Sequence, residues 1–178
     1  MHVCVCVPSR WKGTVSASTM TGALDLRDLS GSDLVASTVS GAVSVTNLEG
    51  ITLSLKTVSG PVTGSALYAE QASLRTVSGE IGIEGGAFRH ISVRTAAGLV
   101  QLALSVPPER MKCLSGSGIV RVFAPLDSVD ACIRSLTGRL RTGGLSLTEG
   151  AASFSAVTLC SDLELYSNID HTITQPEG

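Results

Sequence analysis

The groups best suited to acid–base or metal chemistry in this chain are scattered. Its three histidines, His2, His90 and His171, lie in distant parts of the sequence, so no spacing sets one beside a serine and a carboxylate, as acyl transfer requires. Asp170 and His171 adjoin in sequence, but neighbours on a strand point to opposite faces. Glu80 and Glu84 share one side of an alternating segment at about 13 Å, wider than the paired carboxylates of glycoside hydrolysis. The five cysteines, Cys4, Cys6, Cys113, Cys132 and Cys160, are an odd number, with no Cys-x-x-Cys pair and no histidine at ligand spacing. Neither a zinc site nor a disulfide framework is expected. Cys4 and Cys6 alternate with Val3, Val5 and Val7, and are read as strand residues rather than a soft-metal pair. No enzyme, metal or other cofactor is expected.

What does recur is positive charge. Lys56, Arg75 and Arg94 each stand 19 residues after the one before, and Arg134 follows further on. Stacked in consecutive coils they would lie about 5 Å apart, a repulsive arrangement unless salt screens it or an anion occupies it. The chemistry on offer is binding of an anionic polymer: an acidic glycan, a teichoic acid or a nucleic acid. Aromatic residues make up only 3% of the chain, so single-stranded nucleic acid, which needs stacking platforms, is the least favoured. The competing reading is a solvated face whose long side chains cover apolar surface. Bulk charge decides neither, since the formal net charge is -2 and charged residues are 16% of the total.

The interval of 19 belongs to the whole chain. Thr-Val-Ser-Gly occurs at 38–41, 57–60 and 76–79, and looser copies put the series of glycines at Gly22, Gly41, Gly60, Gly79, Gly98, Gly118 and Gly138, with a degenerate copy at 158–161. A fixed period near 20 marks a solenoid, in which each repeat buries its apolar face against its neighbours. Two residues past the glycine stand Leu24, Val43, Val62, Ile81, Val100, Val120, Leu140 and Leu163, and apolar residues recur two further on. Seven and five residues before it stand pairs such as Leu34 and Ala36, Leu53 and Leu55, Ile91 and Val93, Met111 and Cys113. This alternation is that of strands. Leu29, Leu48 and Leu67, followed by Gly31 or Gly50 in two coils, mark a corner. The expected fold is all-β, a parallel β-solenoid (β-helix) of about eight coils with a 19–20-residue repeat. It is expected to be right-handed, as parallel crossovers are. The repeat domain covers 14–168, with a lead-in or cap at 1–13 and a tail at 169–178. Cys113 falls in an inward column and is read as a small buried residue.

Within the motif, Val39, Val58 and Val77, with Met20 and Ala96, are expected to continue the inward alternation. The hydroxyls on either side would then face outward or into a corner. The glycines are expected to supply a backbone conformation closed to other residues. A flat Thr-x-Ser lattice of the ice-binding kind is disfavoured, because Ala97 and Cys160 interrupt it.

These stretches, Thr38 to Val45, Thr57 to Val62 and Thr76 to Ile83 with degenerate copies from Thr19 to Leu165, resemble a bacterial adhesin-type family of β-strand repeats, a domain of unknown function. The resemblance implies a solenoid, a role at the cell envelope or in adhesion, and no catalytic residue. Members often carry an export signal or membrane segment. This chain shows no export signal and no apolar run near the ~20 residues of a membrane span, so as written it is expected in the cytoplasm, without membrane insertion.

Three further expectations concern surfaces. Arg139 and Arg141 should face Asp162 and Glu164 one coil later as cross-strand ion pairs. Leu99, Ile119 and Phe123 fall on outward positions of neighbouring coils and form a modest apolar patch. A solenoid exposes an unpaired strand at each end, so self-association into dimers or end-to-end stacks is the alternative to a non-enzymatic binding or scaffold module.

Overall fold

A computed structural model describes residues 13–125, 128–135, 139–143, 146–147 and 153–167. Among the described residues the alternating segments form ten strands: β1 (Val15–Thr19), β2 (Leu24–Thr38), β3 (Val43–Lys56), β4 (Val62–Thr76), β5 (Ile81–Leu104), β6 (Arg110–Ala124), β7 (Ser128–Ser135), β8 (Leu140–Gly143), β9 (Ser146–Leu147) and β10 (Ser153–Ser167). Every pairing is parallel. The register is the repeat itself: Val43 pairs with Leu24 and Val62, and Leu53 with Leu34 and Ala72. The protein is thus a parallel β-solenoid. It is slightly shorter than eight coils, for six unbroken strands carry it, β2 to β6 and β10. At one end is the short β1, and at the other a rung split into β7 and β8, with the two-residue β9 paired beyond β7.

Apolar residues two apart on each strand meet their equivalents on the next and fill the interior. Leu34, Leu53, Leu55, Leu74, Ile81, Ile83, Leu102 and Met111 are each fully buried there. Where the ladder has a gap, a neighbour fills it. Gly64 stands in an inward column, and the methyls of Ile83 and Leu67 occupy the space its side chain would need. Four successive turns, in β2 to β5, each bend at a residue of positive φ, Asp28, Asn47, Ala66 and Gly85 (φ 52°, 52°, 52° and 65°). The bend therefore precedes the corner leucines, rather than falling at Gly31 and Gly50. Asn47 Nδ2 donates to the Asp28 carboxylate at 2.7 Å and so ties two successive bends.

The Thr-Val-Ser-Gly corner is turned the other way from the sequence expectation. Thr38, Thr57, Thr76 and Thr95 are buried, and Val39, Val58 and Val77 are 43–49% exposed. Inward residues seven and five before the glycine continue to the threonine three before it. Two successive residues, valine and serine, then face outward, and the glycine restores burial on the even positions. The threonine hydroxyls accept from the glycine N–H three residues on, Thr38 from Gly41 and Thr57 from Gly60 at 3.1 Å, Thr76 from Gly79 at 2.9 Å. The serine hydroxyls donate to the preceding coil, Ser40 to Met20 O and Ser59 to Val39 O, both at 3.3 Å. Both hydroxyl types thus satisfy backbone groups where the chain turns, and the threonines present no lattice to water.

The glycines of the first corners answer to space rather than to conformation. A Cβ on Gly41 or Gly60 would run into the carbonyl oxygen of Gly22 or Gly41 in the coil before. Only further along do Gly98 and Gly118 take positive φ, 134° and 126°. There the strand runs unbroken through the corner, and the Thr95 hydroxyl donates to Ala97 O instead of accepting from the glycine. Gly138 lies outside the described residues, as do the tail 169–178 and all of the lead-in except Gly13.

The last two turns are stacked out of sequence order. β10 pairs with β6 on one side and with β7 and β8 on the other, so it fills the slot next to β6 that β7 and β8 would take in sequence order. Outward charge gives the physical reason. In sequence order Arg121 would stand beside Arg141. With β10 inserted, Glu164 registers with both, and Arg121 Nε reaches its carboxylate at 2.7 Å. The ring of Tyr166 also stacks on Phe123, centroids 5.1 Å apart. The expected placement of Glu164 beside Arg141 is met, but the bonds differ from those expected: Glu164 pairs with Arg121, and the Asp162 carboxylate accepts from the backbone N–H of Arg139 at 2.9 Å.

Candidate anion-binding face

The strand segment before each corner has its inward residues locked in the core, which turns the intervening residues outward. Lys56, Arg75 and Arg94 occupy one such column, all exposed, and the register places them side by side. Their backbones are therefore about 4.8 Å apart. Among the described residues the ion pairs are Arg27 with Asp25, Arg89 with Glu109 and Arg121 with Glu164. None reaches this column. In water and salt the mutual repulsion is screened but not removed.

The ladder ends at Arg94. The next residues in its column are Leu114 and then Val157, and Arg134 follows beyond Val157. In sequence order Arg134 would stand two rungs from Arg94. The insertion of β10 sets it three rungs away, and its side chain lies outside the described residues.

Beside the ladder runs the exposed edge of the corners. Met20 is 75% exposed, and Val39, Val58 and Val77 follow it along the stack. A shallow groove of about 440 Å³ is lined by Arg75 and Arg94 together with Val77, Ala96 and Leu114. Sequence reasoning missed this apolar lining because it turned the valines inward. The phase slip within the motif, where apolar positions pass from odd to even, was the signal available.

The other expected surfaces are altered. Leu99 registers with Ile119, but Asp162 follows in that column, and Phe123 is paired with Tyr166. The patch is thus split by the Arg121–Glu164 ion pair. Glu84 lines a separate shallow recess with Ser44, Thr46, Thr63, Ser65 and Gly82, and no second carboxylate lines it. The Arg27 guanidinium, hydrogen-bonded to Asp25, holds that carboxyl below its usual range. Burial pushes the Cys113 thiol up to about 12, so its sulfur is inert at neutral pH. Among the described residues no three His, Cys, Asp or Glu side chains come together to hold a metal ion, and no helix is long and apolar enough to cross a membrane.

A uniform register, a repeat of 19 or 20 residues and a core of stacked aliphatic columns define a parallel β-solenoid repeat protein. Within that class the chain belongs to the Toastrack DUF4097 family, whose model matches residues 1–142. The inserted strand β10 falls beyond the matched residues. No curated protein and no solved structure matches the chain.

Proposed function

We propose that this chain is a non-enzymatic binding and scaffold module that takes an anionic polymer along the Lys56–Arg75–Arg94 face. The observation that carries the reading is the in-register ladder of three exposed cations, with no carboxylate in ion-pair reach among the described residues. The apolar lining contributed by Val77, Ala96 and Leu114 favours an acidic glycan or a related envelope polymer. Such a chain offers carbon-bearing faces as well as charges, and arginine binds planar carboxylates and phosphates in bidentate fashion. An adhesive role at the cell envelope is consistent with this chemistry.

The test is binding to acidic polysaccharides at several salt concentrations. Affinity should fall steeply as salt rises, because binding releases counterions. Substituting Lys56, Arg75 and Arg94 together by glutamate should abolish binding while the β-sheet circular dichroism is retained. Unchanged binding by the triple variant would remove the reading.

A second reading is self-association, favoured by the exposed row of Met20, Val39, Val58 and Val77. It points to contact along the side of the rod as well as through its ends. Light scattering at two protein concentrations, with and without reductant, separates the readings. A reductant-insensitive rise in mass supports assembly, and a constant monomer mass excludes it.

A further inference from the structure

We propose that a second recess on the same outer face, centred on His90, Arg110 and Lys112, binds a phosphate group, either as the free ion or as a monoester. The recess encloses about 310 Å³ and is lined by two outward columns of the strand stack. One column runs Gln71, His90, Arg110 and the other Ser73, Ser92, Lys112, in consecutive register. Rungs are about 4.8 Å apart and the two columns about 7 Å apart along each strand. A small ligand can therefore touch several of these side chains at once.

The lining is one-sided in its chemistry. Its polar side chains are those of Thr52, Gln71, Ser73, His90, Ser92, Arg110 and Lys112, every one able to donate and none a carboxylate. Glu70 and Glu109 adjoin lining residues in sequence and Asp33 registers with Thr52, but none of the three lines the recess, and Glu109 is engaged elsewhere, accepting from Arg89 Nε at 2.8 Å. Arg110 and Lys112 are both exposed and take part in none of the ion pairs among the described residues. The Nδ1 of His90 is buried and finds no hydrogen-bond partner among the described residues, although buried polar side-chain atoms are as a rule satisfied.

Two fixed cations match the charge of a phosphate, about −1.5 to −2 near neutral pH. Donors on two rows and three rungs approach from different directions, which suits a tetrahedral anion better than a planar carboxylate. His90 stands four residues from Arg94 on β5, about 13 Å along the strand. The recess is therefore separate from the ladder, and the proposal does not depend on what the ladder binds.

The experiment is a titration of the intact protein at constant ionic strength with inorganic phosphate, glycerol 3-phosphate and acetate, following the His90 ring resonances by NMR. Phosphate or its ester should shift the His90 signals saturably, and acetate should not. The tighter of the two phosphates identifies the source as free ion or ester. Arg110→Gln and Lys112→Gln should each weaken binding at least about tenfold, as expected for loss of a charge-assisted hydrogen bond. Both residues are exposed, so the variants should keep the wild-type circular dichroism. The glutamate variant of Lys56, Arg75 and Arg94 should retain its phosphate response in full, which separates this site from the polymer-binding face. An equal response to acetate, or an undiminished phosphate response in the Arg110→Gln, Lys112→Gln double variant, would overturn the proposal.

Discussion

Replacing Thr57 by valine and, separately, Val58 by threonine tests which side of the Thr-Val-Ser-Gly corner faces the core. Thr57 is 5% exposed, and its hydroxyl accepts the Gly60 N–H at 3.1 Å within the buried corner. Valine has the same shape but no acceptor, so Thr57→Val leaves a buried N–H unpaired. Such a loss costs about 1–3 kcal/mol. Taking about 2 kcal/mol, the Tm of a domain this size should fall by roughly 4–8 °C. Thr57→Ser keeps the acceptor and removes one methyl, so it should cost only about 0.8 kcal/mol. Val58 is 43% exposed, and a hydroxyl there reaches water, so Val58→Thr should change stability by less than about 0.5 kcal/mol. Urea unfolding followed by circular dichroism gives the ranking directly. A Val58→Thr variant less stable than Thr57→Val would put the valines in the core and refute the assignment of the corner.

Gly60→Ala should destabilise by several kcal/mol, since a Cβ would meet the Gly41 carbonyl and force two coils apart. Gly82→Ala, where a Cβ meets nothing within 4 Å, should be neutral or stabilising by up to about 1 kcal/mol; equal melting temperatures for the two would contradict the close-stacking account. Cys113 should resist thiol reagents at neutral pH until the protein unfolds. Its pKa is raised from 9.0 to about 12 in the fold, so above pH 9 the unfolded state loses the proton first, and stability should decline as pH rises from 9 towards 12. A pH-independent midpoint across that window in the wild type, matched by a Cys113→Ala variant, would show that the thiol is not buried. Glu164→Gln should cost about 1–2 kcal/mol, because Glu164 is largely buried and stands between Arg121 and Arg141. Added salt should recover part of that loss by screening the two arginines, and a variant as stable as wild type at low salt would argue against β10 lying between them.

Much of this protein is fixed by its sequence alone. The period of 19 or 20 residues set the register of each strand pair between β1 and β6, and the alternation of Leu34 with Ala36, or Ile91 with Val93, set which columns are buried. This follows because a parallel stack repeats identical environments, so like residues fall on like positions. The ladder of Lys56, Arg75 and Arg94 could be read for the same reason. Alternation gives no guide through a corner, where one slip of phase exchanges inside for outside, and only the folded chain shows that the threonines take the inner side. The order of the last turns was also hidden. Aliphatic columns accept any coil as neighbour, so outward contacts between Arg121 and Glu164 and between Phe123 and Tyr166 decide that β10 lies beside β6. The recess of His90, Arg110 and Lys112 likewise exists only once β5 and β6 are side by side, because its two columns come from residues that have no common motif in the sequence.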